Sequence, residues 1–215
     1  MEIKGFIESS FIDWPGKICA VLFLPSCNLR CPFCHNPDLV FHPETLASFP
    51  WFYIEKKLTV LRNWLDGVCV TGGEPTLHGD LGDLLGKIRA LGLSVKLDTN
   101  GTRPQILESL IDRHLIDYLA MDIKGPLDQE SYRQCAGATI SLAEIRTSMK
   151  LILSGRVSGE FRTTVIPAWH TPPVLARMAL ELKQAPIWRQ QVFRSEQAMN
   201  PALCAESPSP ALTSH

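Results

Sequence analysis

Short runs of apolar, often β-branched residues alternate along this chain with longer stretches in which apolar positions recur at helical spacing. The short runs predict strands at 18–24, 68–71, 94–99, 118–123, 160–166 and 191–194. Between them the helical pattern predicts helices at 51–65, 81–91, 104–114, 141–153 and 173–183, with a short turn near 129–133. Strand-then-helix repetition is the signature of an α/β domain built round a parallel sheet. Six units rather than eight predict an incomplete (β/α)6 TIM-like barrel whose open flank could admit a macromolecular substrate, with a fully closed small barrel as the alternative that length alone allows. Residues 1–200 are expected to form this single domain. The stretch 201–215, with Ser207-Pro208-Ser209-Pro210, is expected to be a frayed tail.

Composition narrows the function. A 215-residue chain with 45% hydrophobic content can bury a substantial core. Its formal net charge of -1 and lack of a dense Lys/Arg run argue against nucleic-acid binding. No apolar stretch reaches membrane-spanning length, and the N-terminus lacks a secretory apolar region, so a cytoplasmic protein is expected. Of seven cysteines, Cys19 and Cys69 lie inside apolar runs, which suits reduced buried thiols. Cys135 and Cys204 are isolated and suggest no second cluster site.

Cys27, Cys31 and Cys34 fall within eight residues. Their spacing would suit a helix, but Pro32 removes an N–H that a helix needs, and Pro25 and Pro37 flank the segment. A loop is expected. Three thiolates on a loop suit a 4Fe–4S cluster with one iron left open to a small molecule. The plainer alternative is a structural zinc site with His35 or His42 as fourth ligand, but the second Cys-x2-Cys knuckle usual for such sites does not occur.

Position supplies an independent signal. Each unusual motif follows the C-terminal end of a predicted strand: the cysteine loop, Gly72-Gly73-Glu74, Asp98 to Asn100, Asp122 with Lys124, and Ile166-Pro167. In barrels that rim carries the chemistry. Strand alternation turns Lys96, Asp98 and Asn100 to one side, Asp122 and Lys124 to one side, and Arg162 and Thr164 to one side. Structural ion pairing alone would account for the charges, since buried ions must be paired. Likewise a tight strand-to-helix turn alone would account for the glycines. His78, His114 and His170 have no partner at ligand or triad spacing and are expected on the surface or in loops. No Walker loop, Gly-x-Ser-x-Gly or His-Glu-x-x-His pattern occurs, which argues against hydrolases and phosphoryl transfer.

Taken together, Cys-x3-Cys-x2-Cys with Phe33 before the last cysteine resembles the radical S-adenosylmethionine (radical SAM) enzymes. The continuation Cys34-His35-Asn36-Pro37-Asp38 resembles their glycyl-radical activase branch, most of all the activating proteins of anaerobic ribonucleoside-triphosphate reductase. Ile12-Asp13-Trp14-Pro15-Gly16, Thr71 to Thr76, Leu97 to Gly101, Met121 to Lys124 and Phe161 to Pro167 carry the likeness. The resemblance implies a 4Fe–4S cluster on Cys27, Cys31 and Cys34, with SAM as cofactor. It further implies Phe33 and the adjoining Cys34-His35 near the adenine, and Gly72 and Gly73 at the methionine amino group with Glu74 as anionic partner. Asp98, Asn100, Asp122 and Lys124 would meet the ribose, the carboxylate or a cation. Arg162, beside Thr164, would hold a carboxylate. The implied partners are a glycyl-radical enzyme and a flavodoxin- or ferredoxin-type electron donor. A radical SAM enzyme acting on a small molecule, such as a deazapurine-forming synthase, is the alternative. Ile12 to Gly16 would form a lip over a substrate peptide. Some activases carry a histidine near SAM just after the sixth strand; none stands at that place in this chain, so the contact would fall to Phe193 or Arg194 or be missing.

Overall fold

The computed structural model describes residues 1–193. Arg194 and the tail lie outside the described residues. Seven strands form one sheet whose spatial order is the chain order: β1 (Gly5–Ser10), β2 (Cys19–Leu24), β3 (Gly67–Gly72), β4 (Ser94–Thr99), β5 (Tyr118–Asp122), β6 (Ser158–Val165) and β7 (Trp188–Val192). β1 pairs antiparallel with β2, and β2 through β7 run parallel. β1 and β7 do not pair with each other, so the barrel is incomplete, as the six-unit pattern predicts. The helices are α1 (Pro37–Phe41), α2 (Trp51–Leu61), α3 (Leu81–Ala90), α4 (Pro104–Asp112), α5 (Gln129–Ala136), α6 (Leu142–Leu153) and α7 (Pro172–Glu181). None is long and apolar enough to cross a membrane.

The six parallel strands are those expected, with two differences. β7 begins at Trp188, earlier than predicted, because Trp188 Nε1 donates to Thr163 Oγ1 at 3.0 Å and Arg189 pairs with the buried Glu160. β1 is additional. It has a half-exposed face and no helix after it, so the strand–helix alternation does not announce it. The short turn near 129–133 is a full helix, α5. Asp128 caps it by accepting from the Ser131 N–H at 2.9 Å, and Gly137 ends it at φ 63°.

The two faces of the sheet differ in chemistry. Leu22, Leu24, Val70, Val95, Leu97, Leu119, Met121 and Phe161 pack outward with Ile54, Leu58, Leu85, Ile88, Leu107 and Ile152 of the helices, all essentially fully buried. The opposite, concave face has only a small apolar floor of Trp14, Cys19, Val21 and Cys69, with Phe23 and Tyr118 against it. Trp14 is 3% exposed, its ring 6.0 Å from that of Tyr118. This corrects the expected lip: Trp14 plugs the floor of the half-barrel, Ile12 projects away 90% exposed, and only Asp13 of this segment reaches the central cleft.

Two glycines seat the cysteine loop. A Cβ on Gly73 would lie 1.9 Å from the Ser26 carbonyl oxygen, and one on Gly72, at φ 119°, would lie 2.3 Å from that of Leu24. The close approach lets the Gly73 N–H donate to Leu24 O at 2.9 Å and the Glu74 N–H to Ser26 O at 2.8 Å. Ser26 itself adopts the left-handed region at φ 67° and launches the loop. Gly73→Ala is therefore expected to cost about 1–3 kcal/mol in chemical denaturation through overpacking. Gly79→Ala, with nothing within 4 Å of the added methyl, should be nearly neutral.

Candidate active site at the open rim

A cleft of about 290 Å³ opens on the concave face at the C-terminal ends of the strands. Cys27, Cys31, Phe33, Cys34, His35, Gly72, Gly73, Asp98, Asn100, Asp122, Lys124, Arg162 and Thr164 all line it. Parallel strands bring these residues together from segments far apart in sequence, from Cys27 to Thr164. Glu74 is the exception. Its carboxylate is fully buried and accepts from Thr76 N, Thr76 Oγ1, Thr99 Oγ1 and Asn100 N, so it ties the end of β3 to the end of β4. Burial pushes its pKa up, while these donors pull it back. Glu74 was expected in the cleft as an ammonium partner, but its carboxylate lies behind the wall, fully buried and bonded on both oxygens by the protein.

Five charged side chains alternate in sign across the cleft. Lys96 pairs with Asp98 Oδ1, and Arg162 Nη1 donates to Asp98 Oδ2 at 2.9 Å. Arg162 Nε donates to Asp122 Oδ1 at 3.0 Å, and Lys124 Nζ to Asp122 Oδ2 at 2.9 Å. Burial disfavours both carboxylates, yet Arg162 and the lysines hold them below the ordinary Asp range. The same burial disfavours the cations, yet Asp122 keeps Lys124 and Arg162 above their ordinary values, and Asp98 keeps Lys96 above its own. Lys96 is buried behind the wall, so the members of this chain that line the cleft are two cations, Lys124 and Arg162, and two anions, Asp98 and Asp122. Such a wall presents fixed charges of both signs to whatever enters, as a zwitterionic amino-acid group requires.

The cysteine loop is held from several sides. Arg30 Nη1 donates to Cys27 O at 2.6 Å and Leu29 O at 2.7 Å, and the Arg30 N–H donates to Ala136 O at 2.9 Å. Gly137 allows that last contact, since its Cβ would lie 2.0 Å from Arg30 O. Cys27 Sγ accepts from Leu29 N at 3.4 Å and faces Asn100 Nδ2 at 3.8 Å; Asn100 in turn donates to Asn28 Oδ1 at 2.9 Å. Burial pushes the Cys31 thiol up to about 12 and also raises Cys27. Thiols so placed ionise when a cation takes the charge. Soft donors, N–H···S contacts and a shared cleft fit an iron–sulfur cluster. Among the described residues no three His, Cys, Asp or Glu side chains converge closely enough to hold a single metal ion, so the fit rests on donor chemistry rather than on a preformed cage. His42, weighed above as a zinc ligand, sits on the surface 3.7 Å from Glu44.

Aromatic rings complete the walls. Phe33 meets Trp169 edge-on at 6.3 Å, with Lys124 Nζ 5.9 Å from its ring centre. His35 stacks on Phe193 at 6.0 Å and 20°. Two histidines expected on the surface or in loops do lie in loops, but they brace the fold: His170 is 2% exposed, and His78 Nε2 lies 2.8 Å from Pro25 O at the start of the cysteine loop. Each has a side-chain bond to a main-chain carbonyl distant in sequence, Lys124 O for His170 and Pro25 O for His78, a signal that side-chain spacing does not carry.

The chain belongs to the radical SAM superfamily, whose family model matches residues 21–173. Family members use a 4Fe–4S cluster and SAM. Within the superfamily it groups with the glycyl-radical enzyme activating enzymes: it is 32% identical to a Methanocaldococcus jannaschii protein of that name over 201 residues, 91% of this chain and 81% of the relative. The pyruvate formate-lyase-activating enzyme of Clostridium pasteurianum is 33% identical over 63% of this chain, which spans 57% of that enzyme. Among solved structures, Streptococcus suis SuiB bound to S-adenosylmethionine superposes with a TM-score of 0.58 at 18% identity, over 81% of this chain and 42% of SuiB. That likeness concerns the fold.

Proposed function

We propose that this protein is an activase that uses a 4Fe–4S cluster and SAM to place a radical on a glycine of a partner glycyl-radical enzyme, anaerobic ribonucleoside-triphosphate reductase. The observation that carries the reading is the common cleft: three thiols on one lip and the Lys96–Asp98–Arg162–Asp122–Lys124 chain opposite, in a chain similar to activating enzymes along nine tenths of its length. When bound, cluster and SAM supply one-electron reductive cleavage of the sulfonium and, from it, abstraction of a hydrogen atom from the glycine.

The chain's own residues bind and orient. Cys27, Cys31 and Cys34 hold the cluster. Arg162 and Lys124 present cations to the carboxylate of SAM, and their two aspartates hold them at fixed positions. Gly72 and Gly73 leave main chain accessible to the methionine amino group, with Asp98 and Asn100 beside it. Phe33 and His35 wall the adenine, and Thr164 borders the carboxylate pocket. Asp13, between β1 and β2, and Gln191, on β7, also line the cleft, and a partner's loop would enter between the two unpaired sheet edges. A flavodoxin- or ferredoxin-type protein supplies the electron.

The test is to mix the anaerobically reconstituted, reduced protein with SAM and the reductase. A glycine-centred doublet in electron paramagnetic resonance is expected. Brisk SAM cleavage with no doublet on any glycyl-radical enzyme would favour a small-molecule substrate. That second reading is supported by 35% identity over 78 residues to the 7-carboxy-7-deazaguanine synthase of Halobacterium salinarum, a match to 29% of that enzyme.

A further inference from the structure

His170 is buried in a place where no cofactor contact is expected, yet it is bonded to two strand ends at once. Its Nδ1 accepts from the Ile166 N–H at 2.9 Å, just beyond β6. Because that nitrogen is an acceptor, the single proton of the neutral ring is on Nε2, which donates to Lys124 O at 3.1 Å, just beyond β5. Burial lowers the pKa of His170, in keeping with the neutral ring that this pattern requires. The main chain locks the ring in place: His170 N donates to Ile166 O at 2.7 Å and Trp169 N to the same oxygen at 2.9 Å. The neighbouring Trp169 then lies edge-on to Phe33 of the cysteine motif, and the Lys124 ammonium sits over that same ring.

One imidazole thus joins three things. It clamps the main chain that carries Lys124, it closes the turn after β6, and it fixes the tryptophan that buttresses Phe33. We infer that His170 is a positioning residue for SAM, setting the separation between the Lys124 cation and the Phe33 ring without touching the cofactor. The inference rests on the reading of Phe33 and Lys124 as SAM contacts. A side chain that supplied only one of the two hydrogen bonds would leave either the Ile166 N–H or the Lys124 carbonyl unpaired inside the protein, and the two strand ends free to separate.

The experiment is a set of SAM dissociation constants on anaerobically reconstituted full-length protein, with iron content and the SAM-free cluster spectrum recorded for each variant. His170→Leu is expected to keep its iron and its SAM-free spectrum and to bind SAM about tenfold more weakly, through lost coupling between contacting residues. His170→Gln, which offers both an acceptor and a donor, should recover part of that loss. Leu107→Ala, in the outer core, controls for general destabilisation and should leave the affinity unchanged. If His170→Leu binds SAM as the unaltered protein does while Lys124→Met weakens binding, the positioning role is overturned and the contact assignment stands. If Lys124→Met and Phe33→Ala both bind SAM normally, the contact assignment itself fails and takes the inference with it. A loss of affinity matched by Leu107→Ala at equal destabilisation also overturns the role, leaving His170 a general stabiliser.

Discussion

Cys31→Ala is expected to abolish retention of the cluster, with iron falling to background after anaerobic reconstitution and no SAM cleavage on reduction. The fold should survive. Cys31 is 8% exposed and packs with the core beside Ala136, so truncation leaves a small cavity but no unpaired charge. A stability loss of about 1–2 kcal/mol with unchanged far-ultraviolet circular dichroism is the expected signature. The same loss of iron is expected for Cys27 and Cys34, and none for Cys135, which is buried against Gly125 outside the cleft lining. Full cluster content in the Cys31 variant would remove the ligand assignment on which the proposed activity depends.

Arg162→Met is expected to be the most destabilising single change in the charge chain. Arg162 bonds both Asp98 and Asp122, so its removal leaves one buried and one partly buried carboxylate, each with a single lysine. Breaking a buried ion network in this way costs about 3–5 kcal/mol at neutral pH. The sign of the pH dependence follows from linkage. In the unaltered protein both carboxylates have pKa values lowered on folding, so they contribute stability above the unfolded value near 3.9 that is lost as pH falls through the folded values. In the variant that contribution shrinks, so the gap between the two proteins should be widest near pH 7 and should narrow below about pH 4, where the carboxylates take up protons. Urea denaturation at a series of pH values measures it. A gap that stayed constant down to pH 3 would mean that Arg162 stabilises by packing its stem rather than by its charge.

The residues that assemble the cleft were legible in the sequence to different degrees. The cysteine loop stood out because three soft donors and three prolines from Pro25 to Pro37 have no packing rationale. The Asp98 and Asp122 segments were legible as strand alternation plus position. Glu74 was not: an acidic residue after two glycines has the same sequence pattern whether it faces a ligand or, as here, binds the Asn100 N–H. Trp14 was misplaced for a related reason, since a turn before a strand says nothing about which end of a half-barrel it will close. His170 and His78 bond to main-chain carbonyls 46 and 53 residues away, contacts that leave no trace in side-chain spacing. β1 escaped because an edge strand without a following helix breaks the very alternation used to find the others.

What the chain's order of residues determined alone is the periodic apolar patterning, hence six parallel strands and their covering helices, and the set of donors at their ends. Burial of apolar surface is set by local pattern, which any segment carries within itself. Which polar groups face the cleft and which are struts was decided only by tertiary structure. Pairing among buried charges and main-chain groups depends on distances between strands, and these exist only once the sheet has twisted its ends together.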